Sequence, residues 1–306
     1  MAGVSKVIKA HLALLAVNAI YGANYSIAKS IIGHDVQPYA LVLLRAGFTM
    51  IFFWITSLFL PKEKIERKDF IKLMLLGVFG VALNQLFFIK GLYESKPINA
   101  SIIMILNPIV VIILEIVFLK EKLPPIRLAG IVSGTIGASL LLLFGKEVSV
   151  HRGDIMILIN CISWAVYMVM VKSMMIKYKT VTVVKWVFLF GTFYVLPFGW
   201  GDLQKFDVHA VSFNAWMCLL YVIVASTYLA YFLNTYALAE LSPSIAATYI
   251  YLQPLIAAGI AIYMQQDNID FRKLMSGAFI IFGIYLVGLS RKKKKSEEVA
   301  DGVASS

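Results

Sequence analysis

With 306 residues, 60% of them hydrophobic, only 15% charged and a mean hydropathy of +0.82, the chain holds more apolar surface than a soluble domain of this size can hide. Lipid must therefore be the solvent for most of it. A formal charge of +11 would suit a nucleic-acid partner if it were gathered on one face, but the basic residues are spread between apolar segments, which excludes that class.

A spanning helix needs about 20 mostly apolar residues. Ten such stretches are read at about 9–32, 38–60, 69–93, 97–119, 126–145, 153–176, 181–200, 212–238, 243–264 and 271–290. The first is too long for a cleaved signal peptide and carries Asn18, Asn24 and Lys29. In it Asn18, Tyr21, Tyr25 and Lys29 share one helical face. The second carries Arg45, which could serve an interior ion pair or a substrate anion, and the third adds Asn84 and Gln85. The fourth holds Glu115, a carboxylate for which Lys72 is the expected partner. Gly130 and Gly134 in the fifth form a GxxxG, read first as close helix packing and second as a dimer contact. The sixth repeats the stripe of the first with Asn160, Trp164 and Tyr167, and with Lys172 beyond it. Snorkelling to the headgroups competes with a gating role for Lys29 and Lys172. In the eighth, Tyr221, Tyr228, Tyr231 and Thr235 share a face, and the ninth adds Thr248, Tyr249, Tyr251 and Gln253. Trp54, Trp186, Trp200 and Trp216 fall near span ends and read as interface anchors.

Pro97 and Pro108 recur as Pro243 and Pro254, both offset by 146 residues. On the same register Glu94 falls on Glu240, Leu106 on Leu252 and Gly137 on Gly283. The chain is thus a duplication, with repeats at 9–145 and 153–290 and a basic, disordered tail at 291–306. Five spans per repeat is an odd number, so the second copy enters the membrane inverted. If the N-terminus is cytoplasmic, the inner segments hold sixteen Lys and Arg residues (Lys6, Lys9, Lys62, Lys64, Arg67, Lys68, Lys120, Lys122, Arg127, Lys177, Lys179 and Arg291 to Lys295). The outer loops then hold six, Lys96, Lys146, Arg152, Lys205, Arg272 and Lys273. The positive-inside rule therefore predicts a multi-pass protein of the cytoplasmic (inner) membrane with both termini cytoplasmic.

Several stretches resemble a known family. Tyr236 to Pro243 (YALAELSP) with Tyr251 to Pro254 (YLQP) is similar to the second repeat of the EamA family, within the drug/metabolite transporter superfamily. Gly91 to Pro97 (GLYESKP), Leu106 to Pro108 (LNP) and Phe118 to Leu123 (FLKEKL) resemble the matching parts of the first repeat. Tyr21-Gly22 with Lys29, and Trp164-Ala165 with Lys172, resemble the opening-helix motifs. One departure is Met264 to Asp267 (MQQD), where the family has leucine-glycine-glutamate. The resemblance implies an all-α bundle of ten transmembrane helices in two inverted five-helix repeats. It also implies peripheral helices 5 and 10, a cavity between helices 1, 3, 4, 6, 8 and 9, and alternating access.

The expected function is therefore secondary active export or exchange of small polar organic metabolites such as amino acids. The substrate-binding set is read as Asn18, Tyr21, Tyr25, Asn84, Trp164, Tyr167, Tyr228, Tyr231, Tyr249 and Gln253. The hinge and gating set is Pro108, Pro254, Lys29 and Lys172, with Asn107 and Gln253 placed to answer the carbonyls that the prolines free. An uncoupled permease or channel for the same solutes is the first alternative, and a membrane enzyme without recognisable motif the remote one. No catalytic residue, metal or cofactor is read from the sequence. The partners expected are a small-molecule substrate and the bilayer, without nucleic acid, with the protein a monomer or weak homodimer.

Overall fold

A computed structural model describes residues 2–120, 123–143, 151–263 and 271–304. Expected features at Glu121, Lys122, residues 144–145, Lys146 and Met264 to Asp267 lie outside the described residues. The described chain is helical throughout, without named strands. In chain order the helices are α1 (Ala2–Ile31), α2 (Pro38–Leu58), α3 (Arg67–Glu94), α4 (Pro97–Leu119) and α5 (Pro125–Leu143). The second repeat runs α6 (Arg152–Met175), α7 (Thr180–Gln204), α8 (Phe213–Glu240), α9 (243–263) and α10 (Phe271–Ala304). Among the described residues, the first eight are long and apolar enough to cross a membrane, and the apolar part of α10 is the shorter Leu274–Leu289. The segment expected to be a disordered tail continues α10 to Ala304. Elongation of an existing helix needs no new nucleus, and the segment is rich in Lys and Glu, which are good helix formers.

The repeat is visible in the irregularities as well as in the helices. Pro97 and Pro243 each stand in the first turn of their helix, where the missing N–H costs nothing. α4 breaks in a tight turn at Ile105 and Leu106, and α9 has a 3₁₀ turn at Tyr249–Tyr251, whose last residue is the counterpart of Ile105 by the offset of 146. α3 widens to π-helix over Val78–Leu83, and α8 does so over Tyr221–Leu229. The offset carries 78–83 onto 224–229, inside the second π segment. Single-turn π and 3₁₀ defects inside long helices mark functional or strained places.

α5 lies along α10, outboard of α4 and α9. The glycines make this possible: a Cβ at Gly130 would stand 2.6 Å from the Gly283 carbonyl oxygen, and one at Gly283 would stand 2.5 Å from the Gly130 oxygen. The GxxxG face is therefore used inside the chain. In the centre the halves interlock, because α1 packs on α8 and α6 packs on α3.

Carboxylates from neighbouring helices, Asp154 half-buried and Glu115 buried, hold the starts of the two proline-led helices. Asp154 on α6 accepts from the Ser95 hydroxyl and from Asn99 Nδ2 at 3.1 Å, at the head of α4. Glu115 on α4 accepts from the Ser244 N–H at 3.0 Å, at the head of α9. A negative charge is favoured at a helix N-terminus. The cation beside Glu115 is Arg127, at 3.8 Å, and not Lys72 as expected. The short connection after α4 returns Arg127, at the start of α5, to the end of α4, a proximity that helical spacing alone does not reveal. At the same end of the bundle, Lys177 donates to Asp69 at 2.9 Å, and that bond holds the Lys177 ammonium above the usual lysine range.

Candidate functional site

Between the repeats lies a cavity of about 70 Å³. That is small beside the roughly 300–1,000 Å³ sites that hold drug-sized ligands. α1 contributes Val17, Asn18, Tyr21, Asn24 and Tyr25, and α6 contributes Asn160, Trp164 and Met168. Asn84 and Phe88 come from α3, Met104 from α4, Tyr231 and Asn234 from α8, and Ala246, Ile250 and Gln253 from α9. These are the six helices that the resemblance implied. One lining residue comes from a seventh helix: Arg45 of α2.

The wall is built by side-chain hydrogen bonds, to side chains and to backbone carbonyls, that join opposite repeats. Gln253 Nε2 donates to Asn18 Oδ1 at 2.8 Å, and the Tyr25 hydroxyl donates to Gln253 Oε1 at 3.1 Å. The backbones of α1 and α9 come close here, with a Cβ at Gly22 only 3.1 Å from the Gln253 carbonyl oxygen. Asn160 Nδ2 donates to the Asn84 carbonyl at 2.8 Å, which ties α6 to α3. Tyr21 stands edge-on to Trp164 with ring centroids 6.4 Å apart, a favoured aromatic geometry. The π segment of α3 also takes part, because the Tyr231 hydroxyl donates to the Gly80 carbonyl at 2.6 Å.

Seven residues of the expected substrate set line this cavity: Asn18, Tyr21, Tyr25, Asn84, Trp164, Tyr231 and Gln253. Three do not. Tyr167 stacks behind Trp164 and shares a 3.0 Å bond with Thr235. Tyr228 packs on Phe53 and bonds the Thr56 hydroxyl at 2.7 Å. Tyr249 turns away to His11 Nδ1, also at 2.7 Å. The π segment is the reason for Tyr228. Counting by 3.6 puts Tyr221, Tyr228 and Tyr231 on one face, but the wider turns at 221–229 break that phase. Only Tyr231, beyond the defect, keeps the inward direction. Asn24, Arg45, Asn160 and Asn234 were outside the expected set. Asn24 and Asn160 lay on the right faces and could have been found from the spacing to Tyr21 and Trp164.

The prolines free the carbonyls of Met104 and Ile250, and both residues line the cavity. The adjacent amides do not answer those carbonyls. Asn107 Nδ2 donates to the Cys161 carbonyl on α6 at 3.0 Å, and Gln253 Nε2 goes to Asn18. Lys29 and Lys172 do not line the cavity. Lys29 Nζ donates to the carbonyls of Leu92, Tyr93 and Ser95, at 2.7, 2.8 and 3.0 Å, at the end of α3. Lys172 Nζ donates to Leu238 and Ala239, at 2.8 and 3.2 Å, at the end of α8. Leu92 and Tyr93 fall on Leu238 and Ala239 by the offset of 146. Each lysine thus caps the orphan carbonyls of the third helix in its own repeat. Among the described residues no group of three or more His, Cys, Asp or Glu could hold a metal.

Known proteins share the sequence pattern and the fold of this chain. The pattern of the EamA-like transporter family matches residues 8–143 and 151–289. An uncharacterized transporter of Archaeoglobus fulgidus is 28% identical over 290 residues, covering 91% of this chain and 96% of its own. The uncharacterized transporter YyaM of Bacillus subtilis is 22% identical, with 90% and 92% covered. A WAT1-related protein of Arabidopsis thaliana is 25% identical over 73% of this chain and 66% of its own. A solved crystal structure superposes with a TM-score of 0.73 at 16% identity, covering 94% of this chain and 98% of the other, which shows a shared fold. Two matched repeats, ten helices and a polar cavity where the repeats meet describe a multi-pass membrane transporter, and the chain belongs to the EamA-like transporter family.

Proposed function

We propose that the protein is a secondary transporter that exports or exchanges small polar organic solutes, amino acids among them, by alternating access. The observation that carries this reading is the cavity itself: amide-rich and built from both repeats. A route for a small apolar solute would not need Asn18, Asn24, Asn84, Asn160, Asn234 and Gln253 around one space. The defects beside the cavity in α3, α4, α8 and α9 supply places for helices to flex.

The test is counterflow in proteoliposomes, with labelled L-alanine and L-serine outside and the same unlabelled amino acid inside. A carrier accumulates label transiently above the equilibrium level, and a channel does not. Gln253→Leu breaks both wall bonds and is expected to lower exchange about tenfold or more, because Asn18 and Tyr25 lose their buried partner. Equal exchange by Gln253→Leu and wild type at matched protein level would remove the cavity from the transport path.

The orientation proposed is cytoplasmic for both termini, supported by the bias in basic residues. In intact cells a membrane-impermeant thiol reagent should label Asp207→Cys, in the α7–α8 connection, and not Lys64→Cys, in the α2–α3 connection. The opposite pattern inverts the topology.

A further inference from the structure

Arg45 is the cation of the cavity, and nothing in the fold accounts for its charge. It is 4% exposed and lines the cavity. Its Nε donates to the Thr227 hydroxyl at 2.9 Å, while its Nη1 is buried without a hydrogen-bond partner. Among the described residues no carboxylate forms an ion pair with it. A guanidinium has five N–H donors, and burying it against one neutral hydroxyl leaves most of its desolvation unmet. The expected interior ion pair is thus not the role of this residue.

The neighbourhood holds the guanidinium in place. Thr227 lies in the π segment of α8 and donates its own proton to the Val222 carbonyl at 2.6 Å. Its oxygen is thereby turned to accept from Nε, which fixes the direction of the Arg45 fork. The other repeat shows that the fold does not demand the charge. By the offset of 146, Thr227 corresponds to Val81, and there α7 meets the π segment of α3 with the uncharged Gly191 directly against Val81. The same junction closes with a glycine and a valine in one half and with a cation and a hydroxyl in the other.

We propose that Arg45 binds the carboxylate of the transported solute, so that the cavity selects small organic acids and amino acids in their carboxylate form over uncharged solutes of the same shape. The proposal rests on the transporter reading of this cavity and narrows it. Arg suits the task because its planar fork matches a carboxylate with two parallel bonds. Asn24 Oδ1 and Asn160 Oδ1 are also buried in the wall without donors. They offer acceptors to a second group on the solute, such as an ammonium or hydroxyl.

The experiment uses the full chain in lipid nanodiscs and reads thermal unfolding against a panel of acids, each beside its primary amide. The panel contains acetate, lactate, glycine, L-alanine and L-serine. At least one acid should raise the unfolding temperature while its amide does not. Acids raising it with lactate and acetate included would mark a general carboxylate site, and glycine, alanine and serine alone would mark a zwitterion site. Arg45→Gln should weaken acid binding roughly tenfold or more. Arg45→Lys should keep the preference for acid over amide at reduced affinity. Should Arg45→Gln not fold, Thr227→Val, which keeps the charge but unseats Nε, must weaken acid binding. The proposal is overturned if no acid stabilises the wild type, if amides match their acids, or if these variants respond as the wild type does. Counterflow of an amide alone would keep the transporter reading and end this one. An acid that binds through Arg45 but never exchanges across the bilayer would do the reverse.

Discussion

Replacing Arg127 with alanine is expected to cost the folded protein about 3–5 kcal/mol, the effect of stripping the partner from a buried carboxylate. Glu115 is fully buried, and Arg127 is at once its ion-pair partner and the donor to Ser244 Oγ at 3.2 Å. With the cation gone, Glu115 must either stay charged in a low-dielectric setting or take up a proton. A protonated carboxyl is a weaker acceptor for the Ser244 N–H, so the head of α9 loosens. The double variant Glu115→Gln with Arg127→Leu removes both charges and should recover most of the loss. Unfolding in mixed micelles by a denaturing detergent gives the comparison. Equal midpoints for the single and double variants would show that packing, and not charge, holds this corner.

The second large effect concerns Pro108 and Pro254. An interior proline disfavours a straight helix by about 3 kcal/mol. Substitution by alanine removes that bias, which is enough to shift a balance between straight and bent forms by about two powers of ten. The two breaks occupy equivalent places in inverted halves. Pro108→Ala and Pro254→Ala are therefore expected to favour opposite facing states, with global stability little changed because the regained helical bond offsets lost packing. Single cysteines at the two mouths of the cavity, probed in each variant with a soluble thiol reagent, report the facing state. Shifts of the same sign in both variants, or none with wild-type exchange, would make the breaks static.

The bundle was legible in the sequence because lipid makes the rules simple. Spans must be long and apolar, and a duplication with five spans per unit must invert. The first helices repeat at an offset of 142, with Asn18 on Asn160 and Tyr25 on Tyr167, and the later ones at 146. α2 has 21 residues and α7 has 25, so the added four make about one helical turn and leave the faces in register. The cavity was legible wherever the helix is regular, as in α1 and α6. It was not legible across the π segment of α8, where Tyr228 lost its phase, nor in the 3₁₀ turn that sends Tyr249 to His11. The roles of Lys29, Lys172 and Glu115 depend on which helix end stands beside them. That is tertiary information, absent from any single helix pattern. The weight of Arg45 likewise rests on its having no carboxylate ion pair among the described residues, which only the packed structure shows.

The lysine caps set an order for synthesis and insertion. Lys29 and its carbonyl partners are 63 to 66 residues apart, and Lys172 and its partners 66 to 67. Each is complete within its own half. The bonds of Ser244 to Glu115 and Arg127 span 129 and 117 residues and join the two halves. A chain that emerges from its N-terminus can therefore fasten α1 to α3 while α6 onwards is still unmade, and later fasten α6 to α8 by the same means at the opposite membrane face. The part of the seam where α9 meets α4 and α5 waits until Ser244 arrives. By then the end of the third helix of each half can already be capped, so those carbonyls need not face hydrocarbon unmatched while the chain is incomplete.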